Sequence, residues 1–194
     1  MKNVLWVDCC IRGEQSRTLR LSRAFLSALP EACRVTHLDL MQLQPRYFSG
    51  AYFDERQALL EQGAREHPRF DLARQFAAAD EIVVSAPFWD LSFPALLKVY
   101  IEQVSLDGIT FGSTEAGLVG LCRAERMVYL TTRGGFYTGD AMEMGSRYME
   151  ALCRFFGIDR YDCVAADGMD VAGFDGEGSL RAAMEKAAAL AKTF

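Results

Sequence analysis

Short apolar runs alternate with amphipathic stretches along the whole chain. The apolar runs are of the buried-strand type, and they predict five strands, at residues 4–7, 33–40, 82–84, 127–131 and 161–165. In the stretches between them, apolar residues recur at helical spacing. These stretches predict five helical segments, at residues 17–29, 54–63 with 69–79, 93–104, 148–156 and 180–191.

This alternation is typical of an α/β fold. Buried strands separated by helices form a parallel sheet that is covered by helices on both faces. We expect a doubly wound five-stranded sheet with the order 2-1-3-4-5, in which the third strand lies beside the first. Residues 1–194 contain no repeat and no linker, so we expect a single domain. In such sheets a ligand lies beyond the carboxyl ends of the strands, where the loops after strands one, three and four meet.

Composition excludes several classes of protein. The formal net charge is −5, whereas a nucleic-acid-binding protein normally presents a basic face. No uncharged apolar run approaches the roughly 20 residues of a membrane span, and Asp8 interrupts the apolar run near the start, unlike a secretion signal. The six cysteines include no Cys-x-x-Cys pair and there are only two histidines, so we expect reduced thiols, no zinc site and a soluble cytoplasmic protein.

The loop after the first strand, residues 9–18, runs directly into a helix. It offers the hydroxyls of Ser16 and Thr18, a glycine, two arginines and the free amides of a helix N-terminus, which together can bind a phosphate group. It matches neither a Walker loop nor a Gly-x-Gly-x-x-Gly turn. The alternative interpretation is that Ser16 only caps the helix.

The other two loops predict the rest of a ligand. Phe88, Trp89 and Leu91 follow the third strand, where a flat, partly apolar ring would explain them; the alternative is packing of a strand end. Gly134 and Gly135 follow the fourth strand and allow close approach of a ligand to free amides; the alternative is an ordinary tight turn. A phosphate at one end and a planar ring at the other favour flavin mononucleotide, FMN.

Three segments carry a resemblance to a known family: 85–90, 108–117 and 131–135. In them, the chain resembles the flavodoxin-like FMN-dependent NADH-azoreductases and related NAD(P)H:quinone oxidoreductases. The resemblance implies a homodimer with its active site at the subunit interface. It also implies that NADH or NADPH reduces the flavin, which then reduces a small aromatic acceptor such as a quinone in a two-electron ping-pong reaction.

The resemblance also implies which residues bind FMN. The residues that correspond to the phosphate-binding residues of the family are Cys10, Ser16, Arg17 and Thr18. The ribityl chain and ring fall on Phe88, Trp89, Asp90 and Leu91, and the ring is bordered by Thr132, Arg133, Gly134 and Gly135. The flavin carries the chemistry, so no catalytic acid or base is assigned to the protein. Further candidates for the wall of the acceptor pocket are Phe111, Phe136, Met169 and Phe174.

The chain departs from the family pattern at three points. Cys9 and Cys10 replace a Ser-Ser pair, Asp90 replaces a frequent Asn, and Gly112-Ser113 stands where relatives place an aromatic residue. A carboxylate at position 90 would lower the flavin potential unless it points away or pairs with Arg133. The two cysteines are either redox-sensitive or inert small residues.

Two functions of other classes remain as alternatives. One is a flavodoxin-type electron carrier that docks to protein partners. The other is an FMN-free dimeric scaffold or sensor, which the missing hydroxyl at Cys10 makes conceivable.

Overall fold

A five-stranded parallel sheet organises the computed structural model, which describes residues 1–115 and 117–194. Within these residues the strands are β1 (Lys2–Asp8), β2 (Cys33–Asp39), β3 (Glu81–Ser85), β4 (Phe111–Thr114), β5 (Gly117–Gly120), β6 (Arg126–Thr132) and β7 (Arg160–Ala166). The sheet order is β2-β1-β3-β6-β7, and all neighbours are parallel. The predicted order is therefore confirmed, since β6 and β7 are the fourth and fifth predicted strands.

Helices cover both faces of the sheet, as predicted. They are α1 (Arg17–Leu26), α2 (Leu40–Leu43), α3 (Gly50–Glu61), α4 (Asp71–Ala78), α5 (Ala95–Val104), α6 (Gly145–Phe156) and α7 (Gly176–Ala191). Alternate residues of β1 point to opposite faces. Leu5 and Val7 join the core under α4, α5 and α6, whereas Val4 and Trp6 join the core under α1 and α7.

Strand β2 differs from the prediction, because it is not buried. Residues 34–37 are exposed, although the strand pairs in full register with β1. The cause is its position at the edge of the sheet, and α3, which lies in the β2–β3 crossover, buries none of its own residues.

A two-stranded antiparallel hairpin, β4–β5, was not predicted. Each strand has only four residues, and glycines stand at 112, 117 and 120, so the segment shows neither a long apolar run nor a clear alternation. The hairpin packs against α6 and leaves the order of the main sheet unchanged.

The carboxyl ends of β1, β3 and β6 lie side by side, and their loops continue the pairing beyond the strands. The amide of Cys9 donates to the carbonyl of Ser85 at 2.8 Å, and the amide of Phe88 donates to the carbonyl of Thr132 at 3.0 Å. The three loops are therefore joined to one another by backbone hydrogen bonds. None of the helices in the described residues has the length and hydropathy needed to cross a membrane.

Candidate cofactor-binding site

A cavity of about 410 Å³ opens at the carboxyl edge of the sheet, between the three loops. Eleven of the twelve predicted FMN-binding residues line it: Ser16, Arg17, Thr18, Phe88, Trp89, Asp90, Leu91, Thr132, Arg133, Gly134 and Gly135. The lining also includes Arg12, Pro87, Tyr137, Met169 and Asp170. Its volume falls within the roughly 300–1,000 Å³ of small-molecule sites. The structure thus brings together residues that lie more than 100 positions apart.

One end of the cavity is the N-terminus of α1. Ser16 is the N-cap of this helix, and its hydroxyl accepts from the amide of Leu19 at 3.2 Å. The next two amides, of Arg17 and Thr18, donate to no other described residue. Together with the guanidinium groups of Arg12 and Arg17, they can bind an anion, and Arg17 Nη1 also pairs with Asp170 Oδ1 at 2.8 Å. Ser16 therefore caps the helix and also lines the cavity, and its binding of a phosphate stays a prediction.

Buried hydroxyl contacts hold this end in place. The hydroxyls of Thr18 and Thr132 lie 2.7 Å apart, which joins α1 to the end of β6. The hydroxyl of Ser22 donates to the carbonyl of Thr18 at 2.8 Å and lies 2.7 Å from that of Ser85. Because Ser85 also accepts from the indole of Trp6 at 2.8 Å, the first turn of α1 is fixed to three strands.

The apolar end is a tight turn after β3. Trp89 and Ser92 exchange two backbone hydrogen bonds, at 3.2 and 2.8 Å. Between them, Asp90 and Leu91 both have positive φ angles, 48° and 66°. Positive φ at both central residues is the mark of a type I′ turn, which favours Asn or Asp at the first position but strains a leucine at the second. The turn holds Trp89 and Leu91 at the mouth of the cavity, where each is about two-fifths exposed.

The floor of the cavity is built by the loops after β6 and β7, which are hydrogen-bonded to each other. The amide of Met169 donates to the carbonyl of Arg133 at 3.0 Å, and that of Asp170 donates to the carbonyl of Gly134 at 2.9 Å. The amides of Gly134 and Gly135 donate to no described residue. A Cβ at position 134 would lie 2.9 Å from Asp170 Oδ2, so the glycine lets the Asp170 carboxylate approach this loop closely.

Arg133 is buried beside this floor and is paired with two acids. Its Nη2 lies 3.2 Å from Glu143 Oε1, and its Nη1 lies 3.3 Å from Asp167 Oδ1. Its ion pairs are therefore with Glu143 and Asp167. They are not with Asp90, so the predicted pairing that would neutralise the Asp90 carboxylate is not formed. Its guanidinium carbon also lies 5.6 Å from the centre of the Phe88 ring.

Cys10 is the one predicted residue that does not line the cavity. It lies behind the loop, buried in the core beside Trp6, and its amide donates to Asp8 Oδ1 at 2.9 Å. Burial raises the pKa of Cys9 to about 12 and also raises the pKa of Cys10. Because thiolates are the reactive form, the structure favours inert small residues over redox-sensitive thiols.

Of the four candidates for the wall of the acceptor pocket, only one lies among the residues that line the cavity. Met169 lines the cavity. Phe136 and Phe174 form an exposed edge-to-face pair 4.9 Å apart, and Phe111 packs on Phe155, outside the cavity lining. Asp170 is a lining residue that sequence reasoning missed, because it follows β7 and no motif marks that loop.

Comparisons with known proteins agree with this geometry. A family model described as the flavodoxin-like fold matches residues 2–191. The chain is 37% identical to an FMN-dependent NADH:quinone oxidoreductase of Clostridium acetobutylicum and 36% identical to one of Clostridium perfringens, over the whole of each chain. The crystal structure of an azoreductase from Bacillus anthracis superposes with a TM-score of 0.88 at 29% identity, and all of both chains is covered.

The chain therefore belongs to the flavodoxin-like family that includes FMN-dependent NADH:quinone oxidoreductases. The resemblance seen in residues 85–90, 108–117 and 131–135 is confirmed, and so is the flavodoxin-like fold.

Proposed function

We propose that this protein is an FMN-dependent NAD(P)H oxidoreductase that reduces quinones, with azo and nitro aromatics as further acceptors. The observation that carries the proposal is a single cavity with an anion site at one end and aromatic side chains at the other. The full-length similarity to two FMN-dependent NADH:quinone oxidoreductases supports it.

The residues present fit FMN. The two unpaired amides at the start of α1, with the side chains of Arg12 and Arg17, would bind the phosphate. Ser16 and Thr18 would add their hydroxyls, and Cys10 would act only through the backbone of the loop that it supports. The positive charge of the two arginines matters here, because a phosphate carries close to two negative charges near neutral pH.

The flavin ring would lie against Phe88, Trp89 and Leu91, with Asp90 at the edge of the turn and Thr132 and Arg133 beneath. When bound, FMN supplies hydride acceptance and donation at its ring. The protein orients the ring and shields one face of it from water. The amides of Gly134 and Gly135 would donate to the side of the ring that gains negative charge, because both residues line the cavity and neither amide has a partner in the part of the chain that the structure describes.

We further propose a cytoplasmic homodimer of one FMN-binding domain, residues 1–194, per chain. Large apolar side chains are exposed at the cavity, Trp89 and Leu91, and on the loops that continue from its lining residues, Phe136 and Phe174. Grouped apolar exposure beside a ligand site is typical of a contact surface. A second copy would cover this rim, which predicts twice the mass of one chain, 21.6 kDa, by analytical ultracentrifugation.

The test begins with the purified protein in its native state. A flavin absorption spectrum that survives desalting, and steady-state oxidation of NADH or NADPH with the quinone menadione, are the expected results. Methyl red and nitrofurazone serve as azo and nitro acceptors. Failure to bind FMN would overturn the proposal and favour the scaffold or sensor. Bound FMN without turnover of any of the three acceptors would favour the electron carrier.

A further inference from the structure

We propose that Asp167 and Glu143 are positioning residues of the FMN site, acting through Arg133 to aim the amides of Gly134 and Gly135. This inference rests on the proposed function. It starts from a buried cluster in which the guanidinium of one lining residue, Arg133, is held between two carboxylates that do not line the cavity. The side chains of Arg133, Glu143 and Asp167 are 4%, 8% and 14% exposed.

The cluster joins three separate segments. Arg133 belongs to the loop after β6, Asp167 directly follows β7, and Glu143 precedes α6. Glu143 Oε1 also accepts from the amide of Ser146 at 2.8 Å, which ties the cluster to the first turn of α6. Because the guanidinium contacts carboxylates from two other segments, it has little freedom to move.

Asp167 holds the glycine loop from its far side. Its Oδ2 accepts from the amides of Tyr137 and Thr138, at 3.1 and 2.8 Å. Arg133 is on the near side, and its own amide donates to the carbonyl of Ala166 at 2.9 Å. Gly134 and Gly135 are thus clamped at both ends, and this fixes the direction of two amides that have no other partner among the described residues.

Energetics also argue for a positioning role. Burying three charges costs desolvation energy that their mutual attraction only partly offsets, so such clusters are weak evidence for stability alone. Charged hydrogen bonds are directional and short-range, however, and they can fix a loop within the small tolerance that an electrostatic site needs. The cluster lies directly under the amides that would face the reduced flavin.

The matched variants are Glu143→Gln and Glu150→Gln. Both remove one carboxylate near α6, but Glu150 is half exposed and, among the described residues, pairs only with Arg154, at 2.7 Å. Asp167→Asn removes the second carboxylate of the cluster. Arg133→Lys keeps the positive charge but loses the planar fork that contacts both acids, so it tests the cluster where a carboxylate variant does not fold.

The first readout uses FMN-free protein. Amide hydrogen exchange of Tyr137 and Thr138 should be faster in Asp167→Asn, and the thermal midpoint should show that the variant is folded. The second readout is the dissociation constant for FMN, from quenching of flavin fluorescence. We expect it to rise roughly tenfold or more in Asp167→Asn and Glu143→Gln, because hydrogen bonds to charged groups are lost. Glu150→Gln should match the wild type.

Unchanged FMN affinity in folded Asp167→Asn and Arg133→Lys would overturn the positioning role, and so would equal losses in Glu143→Gln and Glu150→Gln. Neither result would touch the proposed function, which fails only where the wild type itself binds no FMN. The flavin midpoint potential gives a third check: it should shift in Asp167→Asn and stay at the wild-type value in Glu150→Gln.

Discussion

Leu91 occupies a backbone conformation that L-residues rarely adopt, with φ at 66° next to Asp90 at 48°. The conformation is held by the two hydrogen bonds between Trp89 and Ser92 and by the amide of Met144, which donates to the Leu91 carbonyl at 3.0 Å. Strain that neighbours enforce in this way is common at ligand sites. Here it places an indole and an isobutyl group at the mouth of the cavity.

Replacing Leu91 by isoleucine should therefore destabilise the turn, because a β-branched side chain tolerates positive φ even less than leucine does. We expect a loss of about 1 kcal/mol in unfolding free energy and weaker FMN binding. Leu91→Gly is the control, since it removes the strain. Thermal unfolding and FMN titration of the two variants would check this. An isoleucine variant as stable as the glycine variant would contradict the assignment of strain.

Asp167 predicts a dependence on pH. Burial acts to raise its pKa, but hydrogen bonds from Thr138, attraction to Arg133 and the Tyr137 amide outweigh it, so the pKa lies below the ordinary 3.8. A depressed pKa stabilises the fold above the unfolded value and loses that effect as the pH falls through the folded value. The stability difference between wild type and Asp167→Asn should therefore be full at neutral pH and should shrink below pH 3.8. Thermal midpoints of both proteins across that range measure it, and a difference that grows on acidification would contradict it.

At the residue level, the sequence predicted which side chains line the cavity better than how they are held. Ser16, Phe88 and Gly134 lie in the loops that follow three predicted strands, so topology alone placed them together. The partners of Arg133 could not be predicted, because Glu143 and Asp167 lie 10 and 34 positions away and no local pattern joins them. The buried position of Cys10 was likewise invisible, since a loop residue can face either the cavity or the core.

The β4–β5 hairpin depends on one close contact between glycines. A Cβ at Gly120 would lie 2.0 Å from the amide nitrogen of Gly157 and 2.1 Å from the carbonyl carbon of Phe156. The hairpin thus approaches the end of α6 as closely as two backbones can. Gly157 ends that helix in the left-handed conformation, with φ at 77°, so it too resists substitution.

Gly120→Ala should displace the hairpin from α6 and destabilise the protein by about 1–3 kcal/mol, as overpacking usually does. Gly112→Ala, on the facing strand, is the matched control. There a Cβ would meet Leu121 at 3.4 Å and Val119 at 3.7 Å, which are ordinary contact distances. Urea unfolding of both variants measures the difference. Equal midpoints would show that the glycine contact is not needed.

Among the elements, hydrophobic pattern predicted the central strands well and the periphery poorly. Strands β1, β3 and β6 are buried on both faces, so their apolar runs are continuous and distinctive. The hairpin and α2 are four-residue elements whose formation depends on tertiary contacts rather than on periodicity. The exposure of β2 reflects its position at the edge of the sheet, which the apolar pattern of the strand does not show.

The molecule as a whole should be stabilised by its cofactor. Added FMN at one hundred times its dissociation constant should stabilise the fold by about 2.7 kcal/mol, and this corresponds to roughly 5–10 °C in the thermal midpoint of a protein of this size. Riboflavin, which has the ring without the phosphate, is the control ligand and is added at the same concentration as FMN. A much smaller shift with riboflavin is expected from the anion site at α1. Equal shifts would mean that Arg12, Arg17 and the free amides contribute nothing.

The open side of β2 bears on how the protein behaves when concentrated. An unpaired strand edge invites sheet extension by a neighbouring molecule, with fibres as the outcome. Here Arg34 and Thr36 place a guanidinium and a hydroxyl in water beside that edge, and an incoming strand would have to dehydrate them. The residues that oppose such sheet extension do not line the cavity at the carboxyl edge of the sheet. Substitutions on the exposed edge of β2 can therefore change the tendency to aggregate without altering the cavity.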